Sequence, residues 1–469
     1  WEEVYSFENK GLPKSAKEKV DKIYELARKE ENSSQIIKSI IHIMKYRTEY
    51  EEEALIKIIK ELEESADKYS SPSRDILYSI MAELYWNYYE NNRYKFLNRT
   101  ETENFEQNDI RYWDLRKLIS RISELYYKSL ENRELLKSKK IEEYKDILVE
   151  YTYTRNRRPT LYDFLIWRAI SFFANTETGL TEASYKFELM DDSFFDEPQK
   201  FINLKIETED KDSFKYKTLL LYQDFLKFHI NDKEKDALFD ADLNRIIFVK
   251  NNFVKPNKDQ LYFNALIKMK DQYKNTPFYT EIAYLIGEYY FNLGSKYIPE
   301  IAEDYKWYNK KAVEIIEEAL KKYPESIGSH NCEWLLSVIN TKELSFENEK
   351  VYVPEKPFLY LLNYKNVNKV YIKIVKVDNY LEKEISDANK FIREYSSKKG
   401  IFNDEINLID DRDYNKHSVE LKLPSLKSGY YYIFAGTDKE FKLEENAVCY
   451  SSFWISNISF IENRKKDSS

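Results

Sequence analysis

From residue 15 to about residue 340 the apolar positions recur with a helical period. Val20, Ile23, Tyr24 and Ala27 fall at i, i+3, i+4 and i+7, the spacing that lines one face of a helix. Asn32-Ser33-Ser34 breaks that stripe with residues suited to capping a helix start, and Ile36, Ile37, Ile40, Ile41 and Met44 restart it. Ala54, Leu55, Ile58, Ile59 and Leu62 form another face. Ser71-Pro72 predicts a cap with Pro at the first helical position, ahead of Leu77, Met81, Leu84, Tyr85 and Tyr88. Leu118, Ile122, Leu125 and Tyr126 continue the pattern. Thr160 with Asp163 predicts a capping box opening a helix that carries Leu161, Leu165, Ala169 and Phe172. Residues 176–215 lose the period: Thr176-Glu177-Thr178-Gly179, Asp191-Asp192 and Asp196-Glu197-Pro198 punctuate an expected extended connector. Leu219, Leu220, Tyr222, Phe225, Leu226 and His229 then resume it. Helical segments joined by short loops predict antiparallel hairpins.

One stretch is more particular. Ala283, Gly287 and Tyr290 share a predicted helix, with Ala312, Ala319 and Pro324 on and just after the next. Small residues let helices approach closely and Pro ends the second, which is the tetratricopeptide pattern. About a dozen extra residues around Ser295–Lys306 depart from it, and no strict period of about 34 residues recurs elsewhere. The expectation is an irregular helical-hairpin, tetratricopeptide-like array.

Near residue 350 the period changes to two. Phe358, Tyr360 and Leu362 alternate with Leu359 and Leu361, and Val370, Ile372 and Ile374 with Tyr371, Lys373 and Val375. Val419, Leu421 and Leu423 alternate with charged partners. Pro424 to Gly429 reads as a turn, before Tyr430, Tyr432 and Phe434, and then Val448, Tyr450, Ser452 and Trp454. Such runs, bounded by Pro, Gly, Asn and Asp, predict strands of an antiparallel β-sandwich. Residues 379–412 are charged and poorly alternating, which leaves a helical insertion or a long loop open. The domain reading is therefore mainly α plus β. Residues 1–345 are helical and repeat-like, with the connector at 176–215 allowing two subdomains; residues 346–469 form the sandwich.

Composition fits this. Only 8 of 469 residues are Gly, while 41 are Tyr; Gly interrupts helices, whereas Tyr joins an apolar ring to a polar tip at helix contacts. The net charge of −8 comes from 74 basic and 82 acidic side chains interspersed along the chain, unlike the concentrated basic face of a nucleic-acid binder. The sharpest basic cluster, Arg155, Arg157 and Arg158, reads as a solvated loop before a helix. No apolar run is long enough to span a membrane. The sequence starts at Trp1, so it reads as a piece of a longer chain, and a missing leader carries no information about destination. Cys332 and Cys449 are too few for a disulfide framework.

Candidate chemistry is sparse. His42, His229, His330 and His417 include no i, i+3 or i+4 pair, so no helix offers a His pair to a metal. His330 and Cys332 lie two apart without further ligands, and Cys332 reads as a small buried hydrophobe. Glu51-Glu52-Glu53 and Asp191-Asp192 read as solvated faces. Tyr85-Trp86 with Tyr88-Tyr89 reads as helix packing rather than a stacking platform. There is no Gly-rich phosphate loop and no Gly-x-Ser-x-Gly elbow. The expectation is no catalytic, metal or cofactor site.

Lys10-Gly11-Leu12-Pro13-Lys14-Ser15-Ala16, Arg158-Pro159-Thr160-Leu161-Tyr162-Asp163-Phe164 and Tyr323-Pro324-Glu325-Ser326 with Cys332 stand in that order along the chain. Val351-Tyr352-Val353-Pro354, Leu362-Asn363-Tyr364-Lys365-Asn366-Val367, Leu426 to Tyr432, and Phe453-Trp454-Ile455-Ser456-Asn457 continue it. This order, over nearly the whole chain, resembles the N-terminal portion of bacterial alpha-2-macroglobulin-like proteins of the Bacteroidetes type. The resemblance implies a macroglobulin-type sandwich after a helical extension. It also implies a secreted or envelope-anchored parent, with a lipid anchor upstream as one mode. Its role would lie in protease trapping, with proteases or envelope proteins as partners. Inhibitory members often carry a Cys-x-Glu-Gln thioester. Cys332 is followed by Glu333-Trp334-Leu335 and Cys449 by Tyr450-Ser451-Ser452, so neither cysteine matches. The alternative reading is a stand-alone helical-repeat adaptor that binds a protein or peptide; a glycan or peptide hydrolase is a third.

Overall fold

Where the apolar period is helical the chain is helical in the computed structural model, which describes residues 1–97, 109–149, 154–175, 186–377 and 387–458. The chain divides into two compact units, Trp1–Ala265 and Leu266–Ser469. The change from helix to strand lies elsewhere, between Asn340 and Glu343 and so inside the second unit.

The first unit begins with α1 (Glu2–Asn9), α2 (Pro13–Lys29), α3 (Ser33–Thr48), α4 (Ala54–Ser65) and α5 (Ser73–Leu97). Gly11, at φ +66, turns α1 into α2, and Pro13 opens α2. The Asn32 side chain accepts from the Gln35 amide to cap α3. Helix α5 starts at Ser73, so Pro72 stands just ahead of the first helical residue rather than within it. Next come α6 (Leu115–Lys128), α7 (Arg133–Ser138), α8 (Thr154–Arg157), α9 (Leu161–Phe173), α10 (Pro198–Phe201), α11 (Phe214–His229) and α12 (Asp236–Asn252); α13 (Lys258–Tyr273) runs across the division. The stripes named from sequence supply the core: Val20, Ala27, Ile36, Ile40, Ile58, Leu62, Leu77, Met81, Leu118, Ile122, Leu165 and Phe225 are buried. The loop signal at 176–179 lies outside the described residues. From residue 186 onward the connector is tied down: Leu189 bridges to Phe253, and Phe194, Phe195 and Phe201 are buried.

In the second unit α14 (Tyr279–Gly294), α15 (Tyr308–Lys322) and α16 (Ser329–Asn340) pack together. A Cβ on Gly287 would lie 2.8 Å from Cδ1 of Ile316. The helices thus meet where only hydrogen fits, and Ala283 and Ala319 share a buried cluster with Tyr279 beside them. Strands follow: β1 (Glu343–Glu347), β2 (Val351–Tyr352), β3 (Phe358–Lys365), β4 (Lys369–Val377), β5 (Phe402–Asn407), β6 (His417–Leu423), β7 (Gly429–Gly436) and β8 (Val448–Ile455). They form two sheets, β1-β3-β6 and β2-β8-β7-β4-β5. Among the pairings of these strands only β2 with β8 is parallel. Alternation places Tyr360 and Leu362 of β3, Ile372 and Ile374 of β4, Leu421 of β6, Ile433 of β7 and Phe453 of β8 in one core between the sheets. The other face of β7 is covered by α17 (Ala388–Ser396), whose Phe391, Ile392 and Tyr395 pack on Phe434. The charged stretch 379–412 thus holds, in its described part, a helix and the polar edge strand β5; residues 379–386 lie outside the described residues.

Candidate functional site

The most concentrated chemistry of the first unit lies where α9, α11 and α12 converge. The predicted capping box exists: the Asp163 amide donates to Thr160 Oγ1 and the Thr160 amide to Asp163 Oδ2 at 2.8 Å. Asp163 is fully buried, and its second oxygen, Oδ1, meets His229 Nε2 at 2.9 Å. The ring's other nitrogen, Nδ1, lies 2.6 Å from Asp232 Oδ2 in the turn after α11. A neutral imidazole has one N–H, so two carboxylate contacts require the doubly protonated ring. Burial opposes that charge, but the bonds and charges of Asp163 and Asp232 outweigh it and raise the His229 pKa above its ordinary 6.5. The helices help: Asp163 stands in the first turn of α9 and His229 in the last turn of α11, the ends where the macrodipole favours an anion and a cation respectively.

Beside this pair lies the basic cluster, which is not the solvated loop expected from sequence. Arg157 and Arg158 both reach Asp240 of α12, at 3.2 and 3.1 Å. The Arg158 guanidinium stacks on Trp167, 4.1 Å from the ring centre. Asp240 offers one carboxylate that both guanidinium groups share and Trp167 an aromatic face, neither legible in the 155–158 stretch itself, and together they offset desolvation. Burial draws Arg158 below its ordinary value against the pull of Asp240. Arg155 lies 3.5 Å from Glu142. A fully buried cation, Arg245, donates to Asp242 Oδ1 and to the carbonyls of Phe194 and Asp196. This anchors the connector on α12. Burial pushes Asp242 up against the opposing pull of Arg245.

In the second unit the polar groups join helices to sandwich. The last carbonyls of a helix lack intrahelical donors. Here Lys365 Nζ donates to Val338 O at 3.3 Å, and Asn366 Nδ2 donates to Ile339 O at 2.8 Å and Thr341 O at 3.0 Å. The β3–β4 turn thereby caps α16. The extra residues between α14 and α15 form a second joint. Lys306 pairs with Asp411 at 2.7 Å, its carbonyl accepts from Asn415 Nδ2, and Asn309 Nδ2 donates to Asn415 Oδ1 at 2.8 Å. Asp413, buried in the same loop, accepts from His417 Nε2 at 3.0 Å. The bond raises His417, with burial opposing; for Asp413 burial acts upward, yet His417 and Asn415 hold its pKa below the usual value.

The other sequence candidates are dispersed. His330 is exposed while Cys332 is buried, its thiol donating to Thr280 O at 3.2 Å; the two do not meet. Burial pushes both Cys332 and Cys449 up to about 12. His42 packs at a tilt against Trp1 and is lowered by burial. Glu51 pairs with Arg47 and Glu53 with Arg111. Asp191 caps the turn at Ser193, and Asp192 pairs with Lys255. Tyr85, Tyr88 and Tyr89 are buried, with Tyr85 stacked on Trp113. Sequence reasoning missed the Asp163–His229–Asp232 constellation. Its i, i+3 half, His229 with Asp232, was open to inspection; its long-range half was not.

With a carboxylate facing each ring nitrogen, His229 ties the start of α9 to the turn after α11. Among the described residues no three His, Cys, Asp or Glu side chains are grouped to hold a metal, and no helix is long and apolar enough to cross a membrane. No protein-family model matches the chain, and no curated protein matches it.

Proposed function

We propose that this chain is the non-catalytic N-terminal segment of a cell-envelope alpha-2-macroglobulin-like protein, serving protease trapping through structural and protein–protein contacts. The observation that carries the reading is the joint between α16 and the sandwich. Its capping residues, Lys365 and Asn366, belong to Leu362–Val367, one of the segments on which the resemblance rests. Other such segments also sit at structural corners: Gly11 at the α1–α2 turn, Thr160 and Asp163 in the capping box, and Ser326 bonded to Thr280 between α15 and α16. Residues at corners fix the order and spacing of elements, which is what a resemblance in segment order would preserve. Support for a non-catalytic role comes from the paired charges of the first unit: Asp163 with His229, Asp240 with Arg157 and Arg158, and Asp242 with Arg245.

The test is the reading frame of the parent gene. Further sandwich domains after Ser469 are expected, and the encoded protein should retain a protease that has cut it. A stop codon soon after Ser469, or a full-length product that leaves added proteases free, would overturn the proposal.

A further inference from the structure

We infer that His229 is a proton-operated latch: with both ring nitrogens protonated it ties the start of α9 to the turn between α11 and α12, and on losing one proton it releases the turn. The geometry is specific. Nε2 faces Asp163 Oδ1 at 2.9 Å and Nδ1 faces Asp232 Oδ2 at 2.6 Å. The two acceptors differ in what they lose. Asp163 is fully buried, whereas the Asp232 side chain is 41% exposed. A buried carboxylate stripped of a donor bears its full desolvation cost, while an exposed one turns to water. The remaining proton of the neutral ring therefore stays on Nε2, and the Asp232 contact is the one that opens.

The surroundings keep this choice local. From the α8–α9 junction Arg158 acts electrostatically on Asp163 and pairs with Asp240 of α12. From α7 Lys137 lies over Phe228, whose ring packs at a tilt against the His229 ring, 4.3 Å between centroids. Lys235 donates to Ile230 O at the end of α11. Asp163 thus keeps a cation in its field after the ring is neutralised, while the turn at Asp232 keeps the Lys235 contact and its backbone bond from the Asp232 amide to His229 O.

The sign follows from the raised value of His229. The latch is closed below the ordinary 6.5 and opens as pH rises through the higher folded value. Residue-resolved hydrogen exchange on the whole chain, corrected for intrinsic rates from about pH 5 to about pH 9, reads it directly. Amides of the turn at 230–235 should lose roughly tenfold protection as the ring titrates, the scale of one charge-assisted hydrogen bond. Those at Asp163 and Phe164 should stay protected. Ring resonances of the four histidines, assigned by single substitutions, should place His229 above 6.5. Asp232→Asn offers an amide that can donate to the neutral ring, so it should lower the His229 titration and remove the pH dependence of the turn. A His229 that titrates at or below 6.5, a turn whose protection is flat with pH, or opening that starts at Asp163 would each overturn the inference. The titration of the unmutated chain decides the matter even if a variant fails to fold.

Discussion

Arg245 shows how a single residue can hold a segment that has little periodicity of its own. Its guanidinium is fully buried, with one carboxylate and two backbone carbonyls as acceptors. Taking away the cation leaves Asp242 buried without its partner and two carbonyls without donors. Arg245→Met should therefore cost about 3 kcal/mol, the scale for breaking a buried pair, read as a lower denaturant midpoint with Asp242 protonated in the variant. Replacing Asp242 as well should recover only part, because Phe194 O and Asp196 O remain unsatisfied. A double variant as stable as the native chain would show that those carbonyl bonds are dispensable. Thr160→Ala removes one half of the capping box and should cost about 1 kcal/mol, with exchange quickening at the first turn of α9. The Thr160–Asp163 box was legible because both partners lie three residues apart. The anchoring role of Arg245 was not, since its two carbonyl acceptors lie about fifty positions upstream at Phe194 and Asp196.

Between elements, close approach and capping decide the packing of the second unit. Gly287 lets α14 meet α15, and a Cβ there would stand 2.8 Å from Ile316 Cδ1. Gly287→Ala should destabilise by about 1–2 kcal/mol through overpacking, and Ile316→Val in the same chain should return part of it. A variant pair with strictly additive costs would mean the two side chains do not press on each other. Asn366 sits at φ 55, where Asn is tolerated, and caps α16. Asn366→Gly keeps that backbone freedom and removes the caps. It should cost about 1 kcal/mol, with faster exchange confined to the last turn of α16 and the β3–β4 turn. The loop at Asp413 carries a pH signature. His417 is raised, so its contribution is complete below 6.5 and lost as pH rises through the folded value. Asp413 is depressed, so its contribution is complete above 3.8 and lost as pH falls through the folded value. Protection of the 411–416 amides should accordingly be greatest between those limits, and His417→Gln should remove the alkaline decline.

At the scale of the whole chain, helices and strands do not separate into units where their periods change. The three helices before Asn340 share a compact unit with both sheets, and the reason is visible in the caps at Lys365 and Asn366 and in the Asn309–Asn415 bond. Hydrogen exchange should report this division. Arg245→Met should loosen amides within residues 1–265 and Gly287→Ala those within 266–469, and the reverse distribution would contradict it. The sequence by itself determined the kind of element where the periodic runs are long, because a 3.6-residue or two-residue period and a local cap are properties of neighbours in the chain; α1, β1, β2 and β5 are too short or too polar to show one, and β1 begins at Glu343 inside the stretch read as helical. It also determined the close helix pair, since Ala283, Gly287, Ala312 and Ala319 announce where side chains are too small to hold helices apart. The tertiary structure alone decided which charges are buried and which elements belong together. Arg157 and Arg158 look like a solvated loop until Asp240 comes from α12, and β5 looks like a charged linker until β4 supplies its ladder. A buried charge or an edge strand is stable only with a partner distant in sequence, and the period of its own segment says nothing about that partner.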